Sequence, residues 1–102
     1  MGVNESDWKL FRKRLPEWQE RHMGKLVREY AGILAGPDLA SDKFWTLEKR
    51  IRKDKKHVGV VAEMSRSEMF FNLLELLRDG VITLEELDGF SDELRELCAE
   101  HK

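Results

Sequence analysis

The segment Ser65–Leu87, SRSEMFFNLLELLRDGVITLEEL, constrains the fold more than any other part of the chain. Met69, Phe70, Phe71, Leu73, Leu74, Leu76 and Leu77, set at about 100° per residue, cover well over half of a helix circumference. Only Glu68, Asn72, Glu75 and Asp79 line up as a polar stripe. A helix this apolar must be packed on several neighbours, so the spacing predicts a central buried helix with its core centred on Phe70, Phe71, Leu74 and Leu77. Ser65 and Glu68 have the spacing of a capping box, which predicts a helix start near Arg66, and Gly80 supplies the left-handed stop. Val81 and Ile82 then run extended into the core, and Thr83 with Glu86 forms a second capping box.

The run Asp79-Gly80-Val81-Ile82 followed by Glu86 also matches the second half of a calcium loop. A full loop ending at Glu86 would place Glu75 at its first position and Leu77 at its third, where a leucine offers no oxygen to a hard cation. A glycine-stopped helix accounts for the same residues without a metal, and no cofactor is expected.

Before this segment, Ser6 or Asp7 is placed to cap a first helix in which Trp8, Phe11 and Leu15 recur at helical spacing. Pro16 predicts a bend near Leu15 and a second helix from there to Ala35. Leu15, Trp18, His22, Leu26, Tyr30 and Ile33 make the core stripe of that second helix. A single histidine on an apolar stripe is read as structural. Gly36-Pro37-Asp38 ends the helix.

Ser41 or Asp42 is placed to cap a third helix with Phe44, Leu47 and Ile51 on one side and Lys49, Arg52, Lys53 and Lys56 on the other. Trp45 sits beside the basic residues. A cationic face bearing an aromatic is the one feature of the chain that resembles a nucleic-acid contact, although such residues also solvate ordinary helix faces. Gly59 breaks the pattern, and Val58–Met64 is expected to continue helically into the central helix because no second strand exists to pair with it. At the C-terminal end Ser91 caps a last helix with Leu94, Leu97 and Cys98 facing inward. These segments predict an all-α fold: one domain over residues 1–102, a small bundle of four to five helices around the central one.

Among the 102 residues the 18 Lys and Arg are unevenly distributed, 14 of them falling in residues 1–57 with 9 of the 20 acids. The first part therefore carries +5 and the remainder −7. The longest stretch without Asp, Glu, Lys or Arg is Tyr30–Pro37, far short of the roughly 20 apolar residues of a membrane span. Asp7, Lys9 and Arg12 interrupt any apolar run of a secretory signal, and the lone Cys98 suits a reducing cytoplasm.

The segments EWQERHMGKLVREY, FWTLEKRIRKDKK and DGVITLEELDGFSDELRE resemble a family of short uncharacterised bacterial helical proteins, some labelled "multidrug transporter". The resemblance spans most of the chain, but it rests on helix caps and core positions and so implies a helical fold with no assigned site residues. The transporter label conflicts with the absence of a membrane span.

The sequence shows no convergent set of nucleophile, base and stabiliser and no phosphate loop, so no enzyme is expected. A helical interaction module is expected instead, meeting a protein partner or a second copy through surplus aromatic surface from Trp8, Trp18 and Trp45. The alternative is a small regulator with weak nucleic-acid contact. For either class the candidate interaction surface is Trp45, Lys49, Arg52, Lys53 and Lys56.

Overall fold

A computed structural model describes residues 4–102, which form four α-helices and two short 3₁₀ turns with no strand among the described residues. Helix α1 covers Glu5–Ala35, α2 Ala40–Asp54, α3 Met69–Arg78 and α4 Asp92–His101. The 3₁₀ turns lie at Arg66–Glu68 and Leu84–Leu87. At 1.5 Å per residue α1 is about 46 Å long, so it runs nearly the full length of a molecule measuring 52 × 23 × 22 Å.

The expected bend at Leu15 is absent as a helix boundary, and the two expected helices are one. Pro16 lies on the exposed side of α1, where its missing N–H removes one bond from the ladder. Phe11, Leu15 and Trp18 on the opposite side are all buried in the core cluster. Packing of one continuous stripe outweighs the local defect. The cap is also shifted: Asn4, rather than Ser6 or Asp7, receives the backbone N–H groups of Ser6 and Asp7, at 2.8 and 3.4 Å.

The core sits at one end of the molecule. The first half of α1 contributes Trp8, Phe11, Leu15 and Trp18, which meet Met69, Leu73, Leu76 and Leu77 of α3, Leu87 and Phe90 of the following turns, and Leu94 and Cys98 of α4. Trp18 stacks on Phe90 with ring centroids 6.4 Å apart. The central helix is buried as expected, but its innermost residues are Leu73 and Leu76, whereas Phe70 is only half-buried and Phe71 is 61% exposed. Gly80, at φ 72°, stops α3, and the N–H groups of Val81 and Ile82 both turn back to the Leu76 carbonyl. Glu86 Oε2 accepts the Thr83 N–H at 2.9 Å, completing the second capping box. The first box does not form: Ser65 makes no side-chain cap bond, and the chain enters α3 through the 3₁₀ turn instead.

Val58–Met64 is not helical. Three long-range contacts hold it as a turn-rich connection. Gln19 Nε2 donates to the Val58 carbonyl at 3.0 Å, Glu75 Oε2 accepts the Val58 N–H at 3.0 Å, and Gly59 lies against the His22 ring. A β-carbon at Gly59 would stand 2.5 Å from His22 Cδ2, so the backbone approaches closer than any side chain would permit.

Candidate interaction surface

The second half of α1 leaves the core and carries α2 back along it as an antiparallel hairpin. What joins the two helices is largely polar. Tyr30 donates its hydroxyl to Asp54 Oδ2 at 2.5 Å, Arg50 bonds Glu29 at 2.9 Å, and the Arg50 guanidinium lies over the Tyr30 ring at 5.5 Å. Partial burial, then the Asp54 bond, push the Tyr30 hydroxyl up to about 12, so it stays a donor at any ordinary pH. These contacts turn the Arg50–Asp54 side of α2 toward α1.

Helical periodicity then determines where the rest of α2 points. Phe44 and Ile51 fall about a quarter-turn from the α1-facing side, and Trp45, Lys49 and Arg52 fall on the far side. No residue of α2 is buried. Phe44 and Trp45 are each 63% exposed and meet edge to face, 5.0 Å between centroids, and Ile51 is 43% exposed. Phe44, Leu47 and Ile51 line a shallow groove of about 370 Å³ rimmed by Glu48, Arg52 and Lys55. On α1, Val27 and Leu34 are also exposed, and the antiparallel crossing directs them to the same flank as Phe44 and Ile51.

Of the sequence-derived surface, Trp45, Lys49 and Arg52 share the far face of α2, Lys53 lies round toward one flank, and Lys56 falls in the turn beyond the helix; all five stand in solvent. Arg52 is engaged by Glu48 one turn earlier, and among the described residues no ion pair involves Lys49, Lys53 or Lys56. Charge follows the same division. Residues 21–56 hold +5, residues 58–102 hold −7, and the first twenty are balanced. Trp8 and Trp18, in contrast, are core residues at 6% and 4% exposure, so the expected surplus aromatic surface reduces to Trp45 with Phe44. The sequence places Phe44 and Ile51 on one side of α2, but it shows neither that this side is open nor that Val27 and Leu34 of α1 join it. The signal of an open flank was the combination of an apolar stripe on α2 with a polar lining on the side that meets α1.

Other reactive groups are engaged inside the fold. Burial pushes the Cys98 thiol up to about 11 in the core. His22 and His57 lie 5.2 Å apart between the core and the hairpin, with His57 Nε2 2.6 Å from Asp79 Oδ2. The carboxylates of the calcium-like run go to separate protein partners: Glu75 to Val58, Asp79 to His57, Glu86 to Arg21. No group of three or more His, Cys, Asp or Glu side chains among the described residues is placed to hold a metal ion, and no helix among them is long and apolar enough to cross a membrane. No family model matches the chain, and no curated protein and no solved structure is significantly similar to it.

Proposed function

We propose that the protein is a small cytoplasmic, non-catalytic helical interaction module whose α1–α2 hairpin docks a protein partner. The observation that carries this reading is that α2, an amphipathic helix of 15 residues, buries none of them within its own chain. Its apolar stripe of Phe44, Leu47 and Ile51 repeats at the i, i+3, i+7 spacing by which one helix seats on another. Helices of this kind gain most of their stability from packing, so a face left open on both helices of the hairpin is explained by a partner that covers it.

Covalent capture tests the reading. A photoreactive phenylalanine analogue in place of Phe44 should trap a defined protein, which is then purified and titrated against the unmodified chain. Ile51→Asp should weaken that complex at least tenfold while helicity is retained. A complex indifferent to Ile51→Asp would overturn the assignment of the hairpin flank.

A second reading, contact with nucleic acid, draws on the exposed cluster of Trp45, Lys49, Lys53 and Lys56. Lys residues flanking an aromatic suit a phosphate backbone with a stacked base. Opposed to it is the −7 charge of the other end of the molecule, which repels a long polyanion.

A further inference from the structure

Between the first turn of α1, the start of α3 and the length of α4 lies an open groove of about 400 Å³, within the roughly 300–1,000 Å³ of small-molecule sites. Its walls are apolar: Met69, Phe70 and Phe71 from α3, Leu94 and Leu97 from α4. Phe70 and Phe71 meet edge to face with centroids 5.7 Å apart, and Phe71 is 61% exposed. From Ser91 to Leu97 the groove follows less than two turns of α4, about 9 Å at 1.5 Å per residue. That length matches the body of a small molecule better than a partner helix.

One end of the groove differs in kind. Asp7, the one charged side chain buried among the described residues, lines it at 4% exposure. Its two carboxylate oxygens accept one bond each from Ser91, and each has a second lone pair to offer. The starts of α1 and α4 favour negative charge there, but among the described residues no cationic side chain forms an ion pair with Asp7. None lines the groove either. Glu93, in the first turn of α4, adds a second carboxylate at the same end.

We propose that this groove binds a small organic amine, its apolar body against Phe70, Phe71, Leu94 and Leu97 and its ammonium donating to Asp7 with Glu93 beside it. An anion would meet two carboxylates and no cation, and a neutral ligand would leave both uncompensated. The site is separate from the hairpin. The groove adjoins Asp7, while α2 is tied to Glu29 and Tyr30, about 35 Å further along α1 at 1.5 Å per residue.

Three compounds that share a body and differ in the head test the site: phenylbutylamine, phenylbutanol and phenylbutyrate, titrated into the full chain by calorimetry with backbone amide NMR in parallel. The amine should bind saturably and shift the amides of Phe71, Leu94 and Leu97. Phenylbutanol should bind roughly tenfold more weakly, because it lacks the charge-assisted bond, and phenylbutyrate more weakly still. Asp7→Asn keeps an oxygen and an amide for Ser91, and it should remove the preference for amine over alcohol while leaving the affinity for the alcohol unchanged. A purely structural Asp7 would weaken both compounds alike. Should that variant fail to fold, Glu93→Gln at an exposed position should narrow the same preference, and Phe71→Ala should weaken amine and alcohol in parallel. Equal affinity for amine and alcohol, phenylbutyrate binding as tightly as the amine, or shifts that spread over Glu96 and Glu100 without saturating overturn the proposal.

Discussion

Asp7, in the first turn of α1, accepts both the backbone N–H and the hydroxyl of Ser91, at 2.7 and 2.6 Å, across 84 positions of sequence. Ser91 in turn accepts the Leu94 N–H and so caps α4. The two ends of the chain are thereby joined by a buried carboxylate at a helix start, where negative charge is favoured. Hydrogen bonds to a charged group are worth roughly 1.5–3 kcal/mol each. Asp7→Ala should therefore lower unfolding free energy by about 2–3 kcal/mol in denaturant titration. A double-mutant cycle with Ser91→Ala should show coupling above about 1 kcal/mol. Additive single effects would mean that the pair does not act as a unit.

Within α3 the two kinds of apolar residue should separate sharply. Leu76→Ala removes a fully buried side chain and should cost about 2–5 kcal/mol. Phe71→Ala removes an exposed one and should change stability by less than about 0.5 kcal/mol. Equal losses would place Phe71 in the core after all.

Pro16 should be a net liability to α1. It lies on the exposed side of a continuous helix and leaves the Arg12 carbonyl without its ladder donor. Pro16→Ala restores that donor, against a loss of about 0.4–1 kcal/mol of rigidity in the unfolded chain. A net gain of about 1–2 kcal/mol is expected, seen as a higher denaturation midpoint. A loss instead would show that the rigidity proline gives the chain outweighs the restored bond.

The comparison of sequence with fold divides along the range of the interactions involved. Periodicity and local punctuation identified α2, α3 and α4, the Gly80 stop, the Thr83–Glu86 cap and the Ser91 cap, each decided within a few residues, but they also split α1 at Pro16 and placed a capping box at Ser65 that does not form. The connection around Val58 was misread as helix since its conformation is imposed by Gln19, His22 and Glu75, which lie far away in sequence. Phe71 was misplaced for a related reason: a wheel with apolar residues on most sides does not show which of them its neighbours will cover. The same limit applied to the surface. Composition identified the basic α2 face, but the open apolar flank beside it emerged only once α2 was seen to meet α1 through Tyr30, Asp54, Arg50 and Glu29.

Protonation of His22 should weaken the joint between core and hairpin. Partial burial is the largest influence holding its pKa below the ordinary 6.5, followed by repulsion from His57 and Lys25, with Asp54 and Glu29 acting the other way. The unfolded chain therefore takes up the proton more readily than the folded one. The stability this confers is fully present above about pH 6.5 and is lost as pH falls below it toward the lower folded value. His22→Gln should accordingly show a flatter stability profile than wild type between pH 7 and 5. Parallel profiles would remove His22 from the pH response.

Salt dependence separates the two readings of α2. Contact between Lys49, Arg52, Lys53 and Lys56 and phosphates releases counterions, with a log–log slope approaching about 0.9 per contact. Four contacts would then cost on the order of a hundredfold in affinity between 50 and 200 mM salt. A protein interface built on Phe44, Trp45 and Ile51 gains from apolar burial, which salt screens far less, and charge at its rim affects mainly the rate of encounter. DNA or RNA binding at about 0.15 M salt is expected to be weak and indifferent to sequence. Replacing the four basic residues by glutamine should abolish that binding and leave most of the affinity for a protein partner. Arg52 is already engaged by Glu48, which lowers the charge available to a phosphate. Tight, sequence-selective binding at that salt concentration, lost in the glutamine variant with its helicity intact, would instead make nucleic acid the partner of this face.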